Sequence, residues 1–168
     1  TVRSRAALIE SHTGKPLSDA FMDEFYRRRN IRLENEITAI EGIHDAVRHV
    51  YERCEGRIAV ASGADRYKVE MMLQRVGLAQ FFEGRIFSGH EMPRSKPFPD
   101  VYLAAAAHLK VEPARCLVLE DTTVGITAGV AAGAEVWGYA ELGQGEVLLS
   151  AGASRVFVHM SELSAMFN

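Results

Sequence analysis

"ARCLVLEDTTVGITAGVAAGAEVWGY", residues 114 to 139, decides the fold. Its opening "CLVLE" is a continuous apolar run closed by two adjacent carboxylates, Glu120 and Asp121, which is the pattern of a strand buried on both faces. "TVGITAGVAAG" then reads as a helix and "AEVWGY" as the next strand. Gly125, Gly129 and Gly133 recur every four residues, which predicts one helix face packed closely on a sheet. A membrane helix-pairing motif is excluded, because charges precede the stretch and it is too short to span a bilayer.

The same alternation continues on both sides. From Ile43 the apolar positions Ala46, Val47, Val50, Tyr51 and Cys54 keep helical spacing until Gly56. "RIAVASG" predicts a short strand breaking at Ser62-Gly63. Val69, Met72, Leu73 and Val76 predict a helix closed by Gly77, and "GRIFSG" a strand ending at Ser88. "KPFPDVYLAAAAHLK" opens with prolines suited to a first helical turn and continues as an Ala-rich helix. After "AEVWGY" come a Gly-containing loop, a strand in "RVFVH" and a closing helix in "SELSAMF". Strands alternating with helices predict an α/β fold: a Rossmann-like open parallel sheet with helices on both faces and right-handed crossovers. The first forty residues carry helical patterning, with Leu17, Phe21 and Phe25 on one line, but no strand candidate. The expected division is residues 1–40 as a small helical piece and 41–168 as the α/β core.

Bulk properties narrow the function. The chain has 168 residues, 48% of them hydrophobic, enough for one domain with a real core plus a small appendage. With a formal net charge of -3 and no long single-sign block, nothing favours nucleic acid or an anionic membrane as a partner. The Arg27-Arg28-Arg29 run reads as a solvated helix face. Cys54 and Cys116 read as buried small hydrophobes, without a disulfide framework, and no secretory signal or membrane span is visible, so a cytoplasmic location is expected. The six histidines form no zinc motif, Ser62 lies in "ASGAD" rather than Gly-x-Ser-x-Gly, and neither a dinucleotide-binding nor a phosphate-binding glycine loop occurs.

In an open parallel sheet, ligands bind beyond the carboxyl ends of the strands. The candidates there are Ser62 and Gly63, Ser88 and Gly89, Lys96, and Glu120 with Asp121. Two adjacent carboxylates at the end of a dry strand repel one another unless a cation neutralises them, and a hard dication such as Mg²⁺ takes oxygen ligands of this kind. The alternative is that Asp121 simply caps the following helix. Lys96 is either a point charge for phosphate or an ordinary loop lysine, and Ser62 either an anion ligand or the start of the next helix.

Taken in order, "VASGA", "RSKPFPDVYLAAA" and "VLEDTTVGITAGVAAGAEVWGY" resemble the second, third and fourth motifs of the haloacid dehalogenase-like (HAD) hydrolases. They look most like the branch of β-phosphoglucomutases and sugar-phosphate phosphatases, 6-phosphogluconate phosphatase among them. The resemblance runs from about Gly42 to the C-terminus, and the helical opening resembles the later part of that family's cap. It implies a Mg²⁺-dependent phosphatase acting on a small phosphorylated metabolite. Ser62 and Gly63 would hold the phosphoryl group, Lys96 would neutralise phosphate and nucleophile, and Glu120 and Asp121 would hold Mg²⁺. The alternatives are a sugar-phosphate mutase, or a silent anion-binding or partner-binding remnant of the fold. Metal-free haloacid dehalogenases are not expected to carry such an acidic pair.

One departure from the family stands out. Its nucleophile is the first Asp of an Asp-x-Asp motif on the first strand, and no Asp-x-Asp occurs in these residues. In that fold the first strand lies between the strands at "RIAVA" and "CLVLE", so its absence predicts a gap of roughly 10 Å, about twice the strand spacing. The sequence also opens at Thr1 without a methionine. The expectation is the C-terminal part of a longer protein, its N-terminal segment unassigned, cleaved but retained, or supplied by another chain.

Overall fold

The structure, a computed structural model, describes residues 2–140 and 143–167. It divides into two compact units, Thr1–Ile37 and Thr38–Asn168. In the first, α1 (Val2–Thr13) and α2 (Asp19–Glu36) are joined by a turn in which the Leu17 N–H donates to Glu10 Oε1 at 2.7 Å. Ser18 caps α2, its Oγ accepting from the Phe21 N–H. Phe21 and Phe25 are 52% and 42% exposed, so the line they form with Leu17 lies largely in solvent. Met22 is the buried position of α2. Arg27 and Arg28 both pair with Glu24, and Arg29 stacks on Tyr26, the solvated basic face expected.

The second unit runs α3 (Ile43–Arg53), β1 (Val60–Ser62), α4 (Arg66–Arg75), β2 (Ile86–Ser88), α5 (Asp100–Leu109), β3 (Leu117–Glu120), α6 (Thr123–Ala131), β4 (Glu135–Tyr139), α7 (Gly145–Ser150), β5 (Arg155–Phe157) and α8 (Met160–Met166). All strand pairing is parallel: β1 with β2 in one sheet, and β3, β4 and β5 side by side in another. Every expected strand forms, each shorter than its apolar run. Helix α7 falls inside what the sequence presented as loop. Its six residues are too few for a periodic signal, and Glu141 and Leu142 of that loop lie outside the described residues.

Strand β4 explains the layering. Alternate side chains point to opposite faces, so Val136 joins Ile126, Val101 and Leu148 in one cluster, while Trp137 joins Ala46, Phe157 and Leu163 in another. A third cluster, Val69, Leu78, Phe82 and Ile86, holds the β1–β2 sheet.

The glycine ladder has three causes rather than one. At Gly129 a Cβ would lie 2.8 Å from Val136 Cγ2, the close helix-on-sheet packing expected. Gly133 packs on nothing within 4 Å and instead takes a φ of +83°, which ends α6 without the strain an L side chain would carry. Gly125 faces the Glu120 carboxylate. The prolines of "KPFPD" also differ from expectation: Pro99 is the N-cap of α5, its carbonyl accepting from the Tyr102 and Leu103 N–H groups, and Pro97 follows a cis bond earlier still. Cys54 and Cys116 are free and half-buried rather than core residues. Burial pushes both thiols up.

Among the described residues, no strand pairing joins β1 to β3. Between them lies a cavity of about 430 Å³, walled by Ile58, Ala59 and Ala61 on one side and Leu117, Val118 and Leu119 on the other.

Candidate active site

Strand β1 ends at Ser62, where the chain turns sharply enough for Ser62 Oγ to accept from the Ala64 N–H at 3.1 Å. Helix α4 then begins under a different cap, Asp65, whose carboxylate accepts from the Lys68 N–H at 3.0 Å. Ser62 is therefore not the helix start, and Gly63 beside it is exposed. Fully buried Ser88, at the end of β2, donates to the Ala64 carbonyl at 2.7 Å and accepts from the His90 N–H. Ser88 thus braces the loop after β1. A two-pronged Arg66–Glu91 ion pair ties the same two loops at the surface.

Lys96 reaches in from the loop before α5. Its side chain is 12% exposed, so it is no ordinary loop lysine. The ammonium donates to the Ala61 carbonyl at 3.2 Å, pairs with Glu120 Oε1 and sits 4.7 Å from the centroid of the Tyr102 ring. One cation thereby links the ends of β1 and β3.

Glu120 is surrounded by donors. Oε1 accepts from Lys96 and from the Tyr102 hydroxyl at 2.5 Å; Oε2 accepts from Thr122 Oγ1 at 3.0 Å and from the Asp121 and Thr122 N–H groups at 3.2 and 3.4 Å. Burial pushes the carboxyl up, but Lys96 and the two hydroxyls outweigh it and hold Glu120 below its usual range. The buried Tyr102 hydroxyl is pushed up, by desolvation first and by the Glu120 charge second, and so stays a donor.

Asp121 has a different environment. The cap of α6 is Thr122, whose Oγ1 accepts from the Gly125 N–H at 3.1 Å, so Asp121 is not the helix cap. It is exposed at the rim and has no ion pair among the described residues. Partial desolvation and then the neighbouring Glu120 charge raise its pKa. A cation at Asp121 would relieve that tension. The adjacent carboxylates thus divide the work: Glu120 fixes the lysine, and Asp121 is the open oxygen donor.

No cluster of three or more His, Cys, Asp or Glu side chains suited to a metal occurs among the described residues. Mg²⁺ asks less of the protein, being held typically through one or two carboxylates with the remaining ligands from water and phosphate. Asp121, with Glu120 beside it, fits that donor set. Sequence reading missed Tyr102, Thr122 and Gly125. Tyr102 stood out only as a hydroxyl within an alanine-rich helix, and Thr122 as a capping residue type one place after the aspartate.

The model of the haloacid dehalogenase-like hydrolases matches residues 4–139. The chain belongs to that family. Over 137 residues this HAD-like chain is 33% identical to a bifunctional riboflavin kinase/FMN phosphatase of Arabidopsis thaliana, covering 80% of the chain and 35% of the plant protein. It is 23% identical over 161 residues to 6-phosphogluconate phosphatase of Escherichia coli, covering 95% and 71%. Among solved structures, a HAD-family hydrolase of Deinococcus radiodurans with bound phosphate and sodium superposes with a TM-score of 0.80 at 30% identity, over 96% of this chain and 72% of the other. The chain thus spans about a third of the plant relative's length.

Proposed function

We propose that this HAD-like chain forms the phosphate-handling part of a Mg²⁺-dependent phosphatase acting on a small phosphorylated metabolite, with a sugar phosphate as the favoured class. The carrying observation is the join at Lys96, which brings the end of β1, next to Ser62, together with Glu120 and its open neighbour Asp121. Two relatives whose names specify phosphatase activity, on FMN and on 6-phosphogluconate, support the reaction class.

In this reading the Ser62 hydroxyl and the backbone at Gly63 anchor the phosphoryl oxygens, and the Lys96 ammonium offsets their charge. Tyr102 and Thr122 keep Glu120 turned toward Lys96. Asp121, assisted by Glu120, holds Mg²⁺, which when bound supplies further neutralisation of the phosphoryl group. The carboxylate that accepts the phosphoryl group would come from an Asp-x-Asp segment that is not among these 168 residues. Residues 1–40 serve as part of a helical cap domain, and the free thiols suit a cytoplasmic setting.

The test joins this chain to a strand segment bearing Asp-x-Asp and measures phosphate release from a panel of phosphomonoesters with and without Mg²⁺. Asp121→Ala should lose Mg²⁺-dependent turnover, and Lys96→Ala should lower it by about 10²-fold or more. Unchanged turnover in both variants refutes the assignment.

A further inference from the structure

Lys96 holds the ends of β1 and β3 together, yet its own backbone lies in the loop between β2 and α5, outside every strand and helix. A lysine side chain is long and flexible, so a loop free to wander would carry the ammonium away from Glu120. What restrains the loop is a clasp closed across the lysine. Two residues before it, Arg94 donates to Asp100 through both Nε and Nη2, at 3.3 Å to Oδ1 and 2.9 Å to Oδ2. The same guanidinium lies over the ring of Phe98, two residues after the lysine, 4.5 Å from its centroid. Between these contacts the Phe98 N–H donates to the Ser95 carbonyl at 3.1 Å and turns the chain back on itself. Asp100 is the first residue of α5 and its side chain is 14% exposed, so the pair is not of the fully solvated kind that contributes little. A planar guanidinium suits both tasks, since its fork matches a carboxylate while its face stacks on a ring.

Helix α5 also carries Tyr102, whose hydroxyl shares Glu120 Oε1 with the Lys96 ammonium. Two donors therefore converge on one oxygen from different elements, a loop and a helix, and Arg94 fastens the one to the other. On its other side the loop rests on the turn after β2. A Cβ added at buried Gly89 would lie 3.3 Å from the Ser62 carbonyl oxygen and 3.8 Å from Ser95 Cβ, so the neighbour of Lys96 and the end of β1 pack against the same glycine. The geometry points to Arg94 as a positioning residue: by clasping Phe98 and Asp100 it fixes the loop that aims Lys96 at Glu120 and at the phosphoryl group. The second target rests on the phosphatase reading, whereas the aim at Glu120 does not.

The experiment is trace acetylation of the full chain with acetic anhydride, read by mass spectrometry at Lys15, Lys68, Lys96 and Lys110, with thermal unfolding measured alongside. In the unaltered chain Lys96, 12% exposed and paired, should react more slowly than exposed Lys15 and Lys110. Arg94→Gln should raise labelling at Lys96 about fivefold and leave the other three lysines within about twofold. Asp100→Asn should act in the same direction, and the double variant should do no more than the stronger single one, because both changes open one clasp. Arg94 is 56% exposed, which favours a folded variant, and Asp100→Asn keeps the shape of the helix start and carries the measurement if Arg94→Gln does not fold. Unchanged labelling of Lys96 in the folded variants, additive rises, or a Lys96 as reactive as Lys15 from the outset overturns the positioning role. An equal rise at all four lysines with a lowered Tm marks Arg94 as a merely structural residue and overturns it too. Selective loss of protection at Lys96, combined with no phosphate release from the chain joined to an Asp-x-Asp segment, would leave the positioning standing and sink the phosphatase reading alone.

Discussion

Strands β4 and β1 come from similar apolar runs and end in different states. Strand β4 has a partner on each side and helices on both faces, and Val136, Trp137 and Gly138 are all buried. Strand β1 pairs only with β2, and all three of its residues are half-buried. Sequence hydrophobicity reports what a strand is prepared to bury; the number of neighbours decides what it does bury. Face adds a second control within one strand: Val118 and Leu119 of β3 point to opposite faces and are 9% and 40% exposed.

The sharpest way to test the role of burial is to truncate one fully buried side chain and one at the open β3 edge. Phe157→Ala in β5, at 2% exposure, should cost about 3–5 kcal/mol in urea unfolding. A loss under about 1 kcal/mol would show that the three-stranded sheet is not the stable half.

Between the halves lies Lys96. Lys96→Met leaves the buried Glu120 carboxylate without its cation and should cost about 3 kcal/mol at pH 7. The sign with pH is fixed by the environment of Glu120, whose carboxyl is held below the usual 4.5 when Lys96 is present. Its stabilising contribution is full above that value and fades as pH falls through the depressed one. The penalty of the variant should therefore shrink on acidification, because without Lys96 burial alone acts and the carboxyl is readily protonated. A penalty that stays constant between pH 7 and pH 4 would remove the pair from the account of stability.

Smallest of the three effects is Leu119→Ala, expected under about 1 kcal/mol because the side chain already meets water. A loss comparable to that at Phe157 would mean that Leu119 is buried in solution.

The order of strands and helices was legible because apolar runs and glycine stops recur along the chain at the right lengths. Lys96, Glu120 and Asp121 were legible as strand-end residues. Their division of labour was not, since it depends on Tyr102, eighteen residues upstream of Glu120 and brought to it only by the packing of α5. The capping role also moved by one residue, from Asp121 to Thr122, and composition does not distinguish neighbouring capping types. Gly133 shared a period with Gly129 but has a different cause, a left-handed turn that spacing does not reveal.

Gly125 has no functional group, yet a single methyl there would overlap both oxygens of the Glu120 carboxylate. With helix backbone on one side and Lys96 on the other, the glutamate would have to swing away and release its ammonium. Natural variation at position 125 should thus be as constrained as at the charged rim, and an alanine allele there would yield a folded protein whose Lys96–Glu120 pair is broken.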